Sequence, residues 1–141
     1  MEAGIIGGGS WGSALALHLG RLRIKTRVWV REEEILEELR KTRQNRVFLP
    51  GHVFPAGVSF SGDIQEAVRF AEVLFIAVPA QFCRQIFLDI APSLARDQIV
   101  VSLTKGIEAG SLKRMTEIME EVFRARALPH LAVLSGPSFS R

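Results

Sequence analysis

The sequence predicts an α/β domain built on a doubly wound parallel sheet, and three observations carry that expectation. Short apolar runs alternate from end to end with stretches whose apolar residues recur at helical spacing, the pattern expected when helices cover both faces of a parallel sheet. A glycine-rich turn, Gly7-Gly8-Gly9-Ser10-Trp11-Gly12, joins the first such run to the first helical stretch. The 141 residues, 48% hydrophobic and 23% charged, suit one domain spanning 1–141 with enough apolar surface for a sizeable core.

The expected strands are Ala3 to Ile6, Thr26 to Val30, Val58 to Phe60, Val73 to Val78, Ile99 to Leu103 and Leu131 to Leu134. Their expected order across the sheet is 3-2-1-4-5-6. After the first strand and Gly12, a helix is marked by Ala14, Leu15, Leu19 and Leu22. A second helix, Glu32 to Arg43, opens on Glu32, Glu33 and Glu34 and closes on Arg40, Lys41 and Arg43, the charge order a helix macrodipole favours. Its apolar face is Ile35, Leu36 and Leu39. Gln44 to Gly57, with two prolines and two glycines, reads as a long loop before the third strand, and loops of that length are usually functional or mobile. Leu112, Met115, Ile118, Met119 and Val122 mark a late crossover helix.

Composition excludes several function classes. One cysteine, Cys83, rules out an intrachain disulfide framework, and His18, His52 and His130 lack the spacing of a metal site. A net charge of +3, with basic residues dispersed among glutamates, suits a phosphate-bearing small molecule; no basic stripe with interleaved aromatics points to nucleic acid. No apolar run reaches the roughly 18 to 20 residues that cross a bilayer, and Met1-Glu2-Ala3 lacks the basic start of a secretory signal. The expectation is a cytoplasmic protein with no membrane partner.

The glycine turn carries the chemistry. In a G-x-G-x-x-G between strand and helix, Gly7 permits the tight turn, Gly9 lets a pyrophosphate approach without a Cβ in the way, and Gly12 lets the helix pack closely on the sheet. The helix N-terminus then offers unpaired N–H groups to phosphate. This is the fingerprint of a Rossmann-like dinucleotide site; no Gly-Lys-Ser/Thr follows, so a mononucleotide P-loop fits less well.

At the end of the second strand stand Arg31 and Glu32. Arg31 suits adenine stacking and a 2′-phosphate, which favours NADPH with NADH still admitted, while Glu32 is either a ribose ligand or a first-turn acid. Phe82, after the fourth strand, stands near the crevice where such folds bind ligands. Cys83 beside it reads as a small buried residue. Lys105, in Thr104-Lys105-Gly106-Ile107-Glu108 at the end of the fifth strand, is placed to meet a phosphate or carbonyl. Ser135-Gly136-Pro137-Ser138-Phe139-Ser140 offers backbone and hydroxyl donors, but is no nucleophile elbow.

Taken together, Gly7 to Ala16, Val28-Trp29-Val30-Arg31, Asn45-Arg46-Val47-Phe48-Leu49-Pro50-Gly51, Val78-Pro79-Ala80-Gln81, Thr104 to Glu108 and Ser135 to Phe139 resemble the N-terminal domain of the NAD(P)-dependent glycerol-3-phosphate dehydrogenases. The resemblance covers essentially the whole chain. It implies that Ser10, Trp11, Arg31 and Phe82 contact the dinucleotide, that Lys105 touches cofactor and substrate, and that Gly136 and Ser138 hold a phosphorylated triose. Ser140 stands near the cofactor where this family usually has alanine, Phe48 where it usually has tyrosine, and Ala80 where bacterial members often have serine.

The resemblance also implies a following helical domain, absent from these residues, that carries the general-acid lysine and the ligands of the substrate phosphate. No catalytic residue is therefore assigned within this chain, and the fragment alone is expected to be inactive. The implied reaction is hydride transfer between NAD(P)H and dihydroxyacetone phosphate, giving sn-glycerol 3-phosphate for phospholipid synthesis. The missing half would supply subunit contacts, so a homodimer of the full-length enzyme stays open. Two rivals remain: a related hydroxy-acid or ketopantoate-type dehydrogenase, and a redox-sensing module that binds dinucleotide without turnover.

Overall fold

The computed structural model describes residues 1–125 and 129–135. Six parallel strands form the sheet: β1 (Glu2–Ile6), β2 (Lys25–Trp29), β5 (Val58–Ser61), β6 (Val73–Ile76), β7 (Ile99–Ser102) and β8 (His130–Val133), in the order β5-β2-β1-β6-β7-β8. Counted among themselves these strands run 3-2-1-4-5-6, the order expected. Several ladders continue one residue beyond the strand ends, as Val30 N–H donates to the Ser61 carbonyl (2.9 Å) and Leu103 N–H to the Ile76 carbonyl (2.9 Å).

Side chains alternate across the pleat, and each face builds its own core. Ala3, Ile5, Val28 and Val58 pack with Ala16, Leu17 and Leu19 of α1 (Ser10–Arg21) and Leu36 and Leu39 of α2 (Glu33–Thr42). On the other face Ile6, Leu74, Ile76 and Val100 meet Ala67 and Val68 of α3 (Ile64–Phe70), Ile86, Phe87 and Ile90 of α4 (Ala80–Ile90), and Ile118, Met119 and Phe123 of α5 (Met115–Phe123). Phe87 and Phe123 meet edge to face at 5.7 Å, joining α4 to α5.

The structure corrects the sequence reading at several places. The stretch from Gln44 to Gly57 is not simply a loop: β3 (Gln44–Asn45) and β4 (Leu49–Val53) pair antiparallel as a separate two-stranded ribbon. Arg43 is not a last-turn cation but the left-handed cap that ends α2 (φ 56°). Its guanidinium donates to the carbonyls of Phe54 (2.9 Å), Pro55 and Val58 (2.7 Å), holding the return from ribbon to sheet. Leu22 and Leu112 lie outside α1 and α5 and are 58% and 69% exposed. Helices α3 and α4, unassigned from sequence, cover the second face.

Candidate functional site

The carboxyl ends of β1, β2 and β6 converge where the chain order reverses, since β1 pairs with β2 on one side and β6 on the other. A cleft of about 240 Å³ opens there. Its walls come from Gly7, Gly8 and Gly9 after β1, Arg31 and Glu32 after β2, and Ala77 to Pro79 after β6, with Phe48 from the ribbon and Phe82 from α4.

The glycines are not equivalent. Gly7 has φ 120°, and a Cβ there would lie 2.5 Å from the Ala77 carbonyl oxygen. A Cβ on Gly12 would lie 2.0 Å from the Gly7 carbonyl oxygen. Both positions are glycine because the fold leaves no room. Gly9 has ordinary angles (φ −70°, ψ −173°), and a Cβ there would meet nothing within 4 Å among the described residues. Packing among those residues does not require glycine at that position, whereas a ligand laid against the backbone would.

Gly9 is also the N-cap of α1, so no side chain caps that helix, and its first turn holds no acid. By contrast, Glu33 and Glu34 occupy the first turn of α2. The α1 terminus thus keeps its partial positive charge for an outside anion. Ser10 and Trp11 begin this helix on the surface, Trp11 46% exposed.

At the far end of the cleft the Arg31 guanidinium stands 5.4 Å from the centre of the Phe82 ring and 3.6 Å from the Glu32 carboxylate. Of the expected dinucleotide contacts, Gly7, Gly9, Arg31 and Phe82 share the cleft; Ser10, Trp11, Gly12 and Lys105 are outside its lining. Lys105 is exposed in the loop after β7. That loop is tied to the cleft by the Thr104 hydroxyl, which donates to the Val78 carbonyl at 2.8 Å.

Arg84 fixes the loop's other end, donating to both Glu108 carboxylate oxygens (2.6 and 2.8 Å) and to Glu121 (3.1 Å). Hydrogen bonding from Arg84 holds the Glu108 carboxyl down to about 2. Cys83 is fully buried, and desolvation pushes its thiol up, which leaves it a poor nucleophile. Gly136, Ser138 and Ser140 lie outside the described residues. Among the described residues no group of three His, Cys, Asp or Glu could hold a metal ion, and no helix is long and apolar enough to cross a membrane.

Sequence reasoning assigned no role to Trp29, Ile86 or Asn45. Trp29 and Ile86 line the cleft from β2 and α4. Asn45 lies beneath it, bonded to Gly8, and its sequence signal was its place at the head of the Asn45-to-Gly51 motif, which carried the resemblance without assigning the residue a role.

Comparison with known proteins supplies the context. The family model described as NAD-dependent glycerol-3-phosphate dehydrogenase N-terminus matches residues 2–141. A glycerol-3-phosphate dehydrogenase (NAD(P)+) of Geobacter sp. strain M21 is 38% identical over 137 residues, 97% of this chain and 41% of that protein. Among solved structures, the glycerol-3-phosphate dehydrogenase of Coxiella burnetii is similar with a TM-score of 0.86 and 28% identity, over 98% of this chain and 41% of that one. A ketopantoate reductase of Ralstonia eutropha shares the fold at a TM-score of 0.67 and 19% identity, over 94% of this chain and 40% of that one. The chain thus spans about two fifths of the length of these relatives.

Proposed function

The chain belongs to the NAD-dependent glycerol-3-phosphate dehydrogenase family, whose N-terminus it matches, and from that premise we propose that it is the dinucleotide-binding part of an oxidoreductase acting on NAD(P)H and dihydroxyacetone phosphate. The carrying observation is Gly9: the fold leaves open the space its side chain would fill, at the mouth of a cleft and the uncapped start of α1. A bound nicotinamide dinucleotide would supply the hydride that makes sn-glycerol 3-phosphate from the ketone.

The chain's own residues bind and orient. Gly7, Gly9 and Gly12 shape the turn, and the first-turn amides at Ser10 and Trp11 receive the diphosphate. Arg31 pairs with a 2′-phosphate, which favours NADPH, while Phe82 packs against the adenine end. Lys105 lies between cofactor and triose phosphate and offsets negative charge developing on the substrate oxygen. Gly136 and Ser138 are assigned to the substrate and Ser140 to the cofactor, and the general acid is assigned to a part of the enzyme beyond this chain. The product would feed phospholipid synthesis in the cytoplasm.

Titration of NADPH followed by nicotinamide fluorescence tests the first half of this reading, and saturable binding is expected. Oxidation rates of the full-length protein on sn-glycerol 3-phosphate against a panel of hydroxy acids test the second. A preference for a hydroxy acid would overturn the substrate, and dinucleotide binding without turnover of any of them would favour a redox sensor.

A further inference from the structure

Asn45, at the end of β3, is fully buried, and its side chain bonds two residues that line the cleft, Gly8 and Phe48, together with Ser13 of α1. Its Nδ2 donates to the Gly8 carbonyl at 2.9 Å and to Ser13 Oγ at 3.0 Å, and its Oδ1 accepts from Phe48 N–H at 3.0 Å. The Ser13 hydroxyl donates to the same Gly8 carbonyl at 3.0 Å. Two buried donors therefore hold one carbonyl oxygen, matching its two lone pairs.

A trans peptide is planar, with its C=O and N–H on opposite sides. No peptide bond among the described residues is cis. Drawing the Gly8 carbonyl inward therefore turns the Gly9 N–H away from the Asn45 and Ser13 side chains. Gly8, Gly9 and Phe48 all line the cleft, so a single buried amide sets both the glycine turn and the ribbon residue opposite it.

We propose that Asn45 is a positioning residue of the dinucleotide site: its amide locks the Gly8–Gly9 peptide so that the turn presents its N–H to a diphosphate. The inference rests on the diphosphate reading of the glycine turn. Because the lock comes from the ribbon, the segment between α2 and β5 is part of the binding apparatus.

In the full-length protein, Asn45→Asp keeps the acceptor for Phe48 N–H and removes the donors to Gly8 and Ser13. Calorimetric titration is made with NADPH, ADP and 2′-AMP, the last carrying adenine and a 2′-phosphate but no diphosphate. The Kd for NADPH and ADP is expected to rise about ten-fold, with that for 2′-AMP changing less than about two-fold. Ser13→Ala, which leaves Asn45 in place and removes one donor to Gly8, is expected to shift ADP and NADPH about three-fold in the same direction. It decides the matter if Asn45→Asp does not fold. Equal weakening of all three ligands, or unchanged ADP binding, in the folded variant overturns the inference. A wild-type protein that binds none of the three overturns the diphosphate reading instead.

Discussion

Gly9 and Gly12 share one turn and one residue type, yet an added methyl group separates their roles. At Gly12 it would sit 2.0 Å from a backbone oxygen that cannot move without displacing the start of α1. Gly12→Ala should therefore cost about 3 kcal/mol of stability, read as a marked fall in Tm. At Gly9 the methyl group has open space and a permitted backbone, so Gly9→Ala should cost no more than about 1 kcal/mol, the difference between Gly and Ala at a helix N-cap. Its NADPH affinity should nonetheless fall by about ten-fold or more. Thermal melts and fluorescence titrations on the two variants check the contrast, and unchanged NADPH binding by Gly9→Ala would remove the support Gly9 gives to a ligand. Arg31 makes a comparable distinction. It is exposed, with Glu32 and the Phe82 ring as its partners among the described residues, so Arg31→Ala should fold normally and weaken NADPH more than NADH. Equal losses for both coenzymes would exclude a 2′-phosphate partner.

The elements that sequence left unread share a physical cause. Helix α3 covers only Ile64–Phe70, too short for a periodic signal, and its start is set by Asp63, whose side chain accepts from Gln65 N–H at 2.8 Å. Helix α4 starts directly after Pro79, so Phe82 and Cys83 look like strand-end residues until Ile86, Phe87 and Ile90 extend their face. The ribbon depends on Asn45 reaching Gly8, a partner distant in sequence, while Pro50 and Gly51 locally argue for a turn. What was legible was local: the apolar strands, the glycine turn between β1 and α1, and the charge order of α2. The Arg84 clamp on the Lys105 loop was not, because it joins α4, the loop and α5 through charges that read separately as solvated surface.

That clamp has a pH signature. The Glu108 carboxyl is lowered from 4.5 to about 2 by hydrogen bonds from Arg84 and Ser111 and by the charges of Arg84 and Lys113. A carboxyl depressed in the folded state stabilises the fold at pH values above its unfolded pKa, and that contribution fades as pH falls through the folded pKa. Glu108→Gln should therefore have a lower Tm than wild type at pH 7, and the gap should close between about pH 4.5 and pH 2. A gap independent of pH would mean that the charge of Glu108 does not hold the loop.

At the scale of the molecule, the strand order puts β1 at the centre and gathers the ends of β1, β2 and β6 around one cleft. Of the described residues lining it, only Arg31 and Glu32 carry a charge, and both come from the β2 side. The opposite wall, Ala77 to Pro79 and Ile86, has no side chain that could give a proton to a ketone oxygen. Lys105 stands beyond that lining, exposed on its clamped loop. The described lining thus offers the reading proposed above an open glycine turn and a charged end, and no proton donor on the opposite wall. It follows that the 141 residues alone should bind NADPH yet show no reduction of dihydroxyacetone phosphate above background, while the full-length protein turns it over. Steady-state NADPH consumption by the two proteins at equal, saturating coenzyme separates the outcomes. Measurable ketone reduction by the short chain would place a proton donor within it, with Lys105 the first residue to replace; restoration of turnover only at full length would place the acid beyond it.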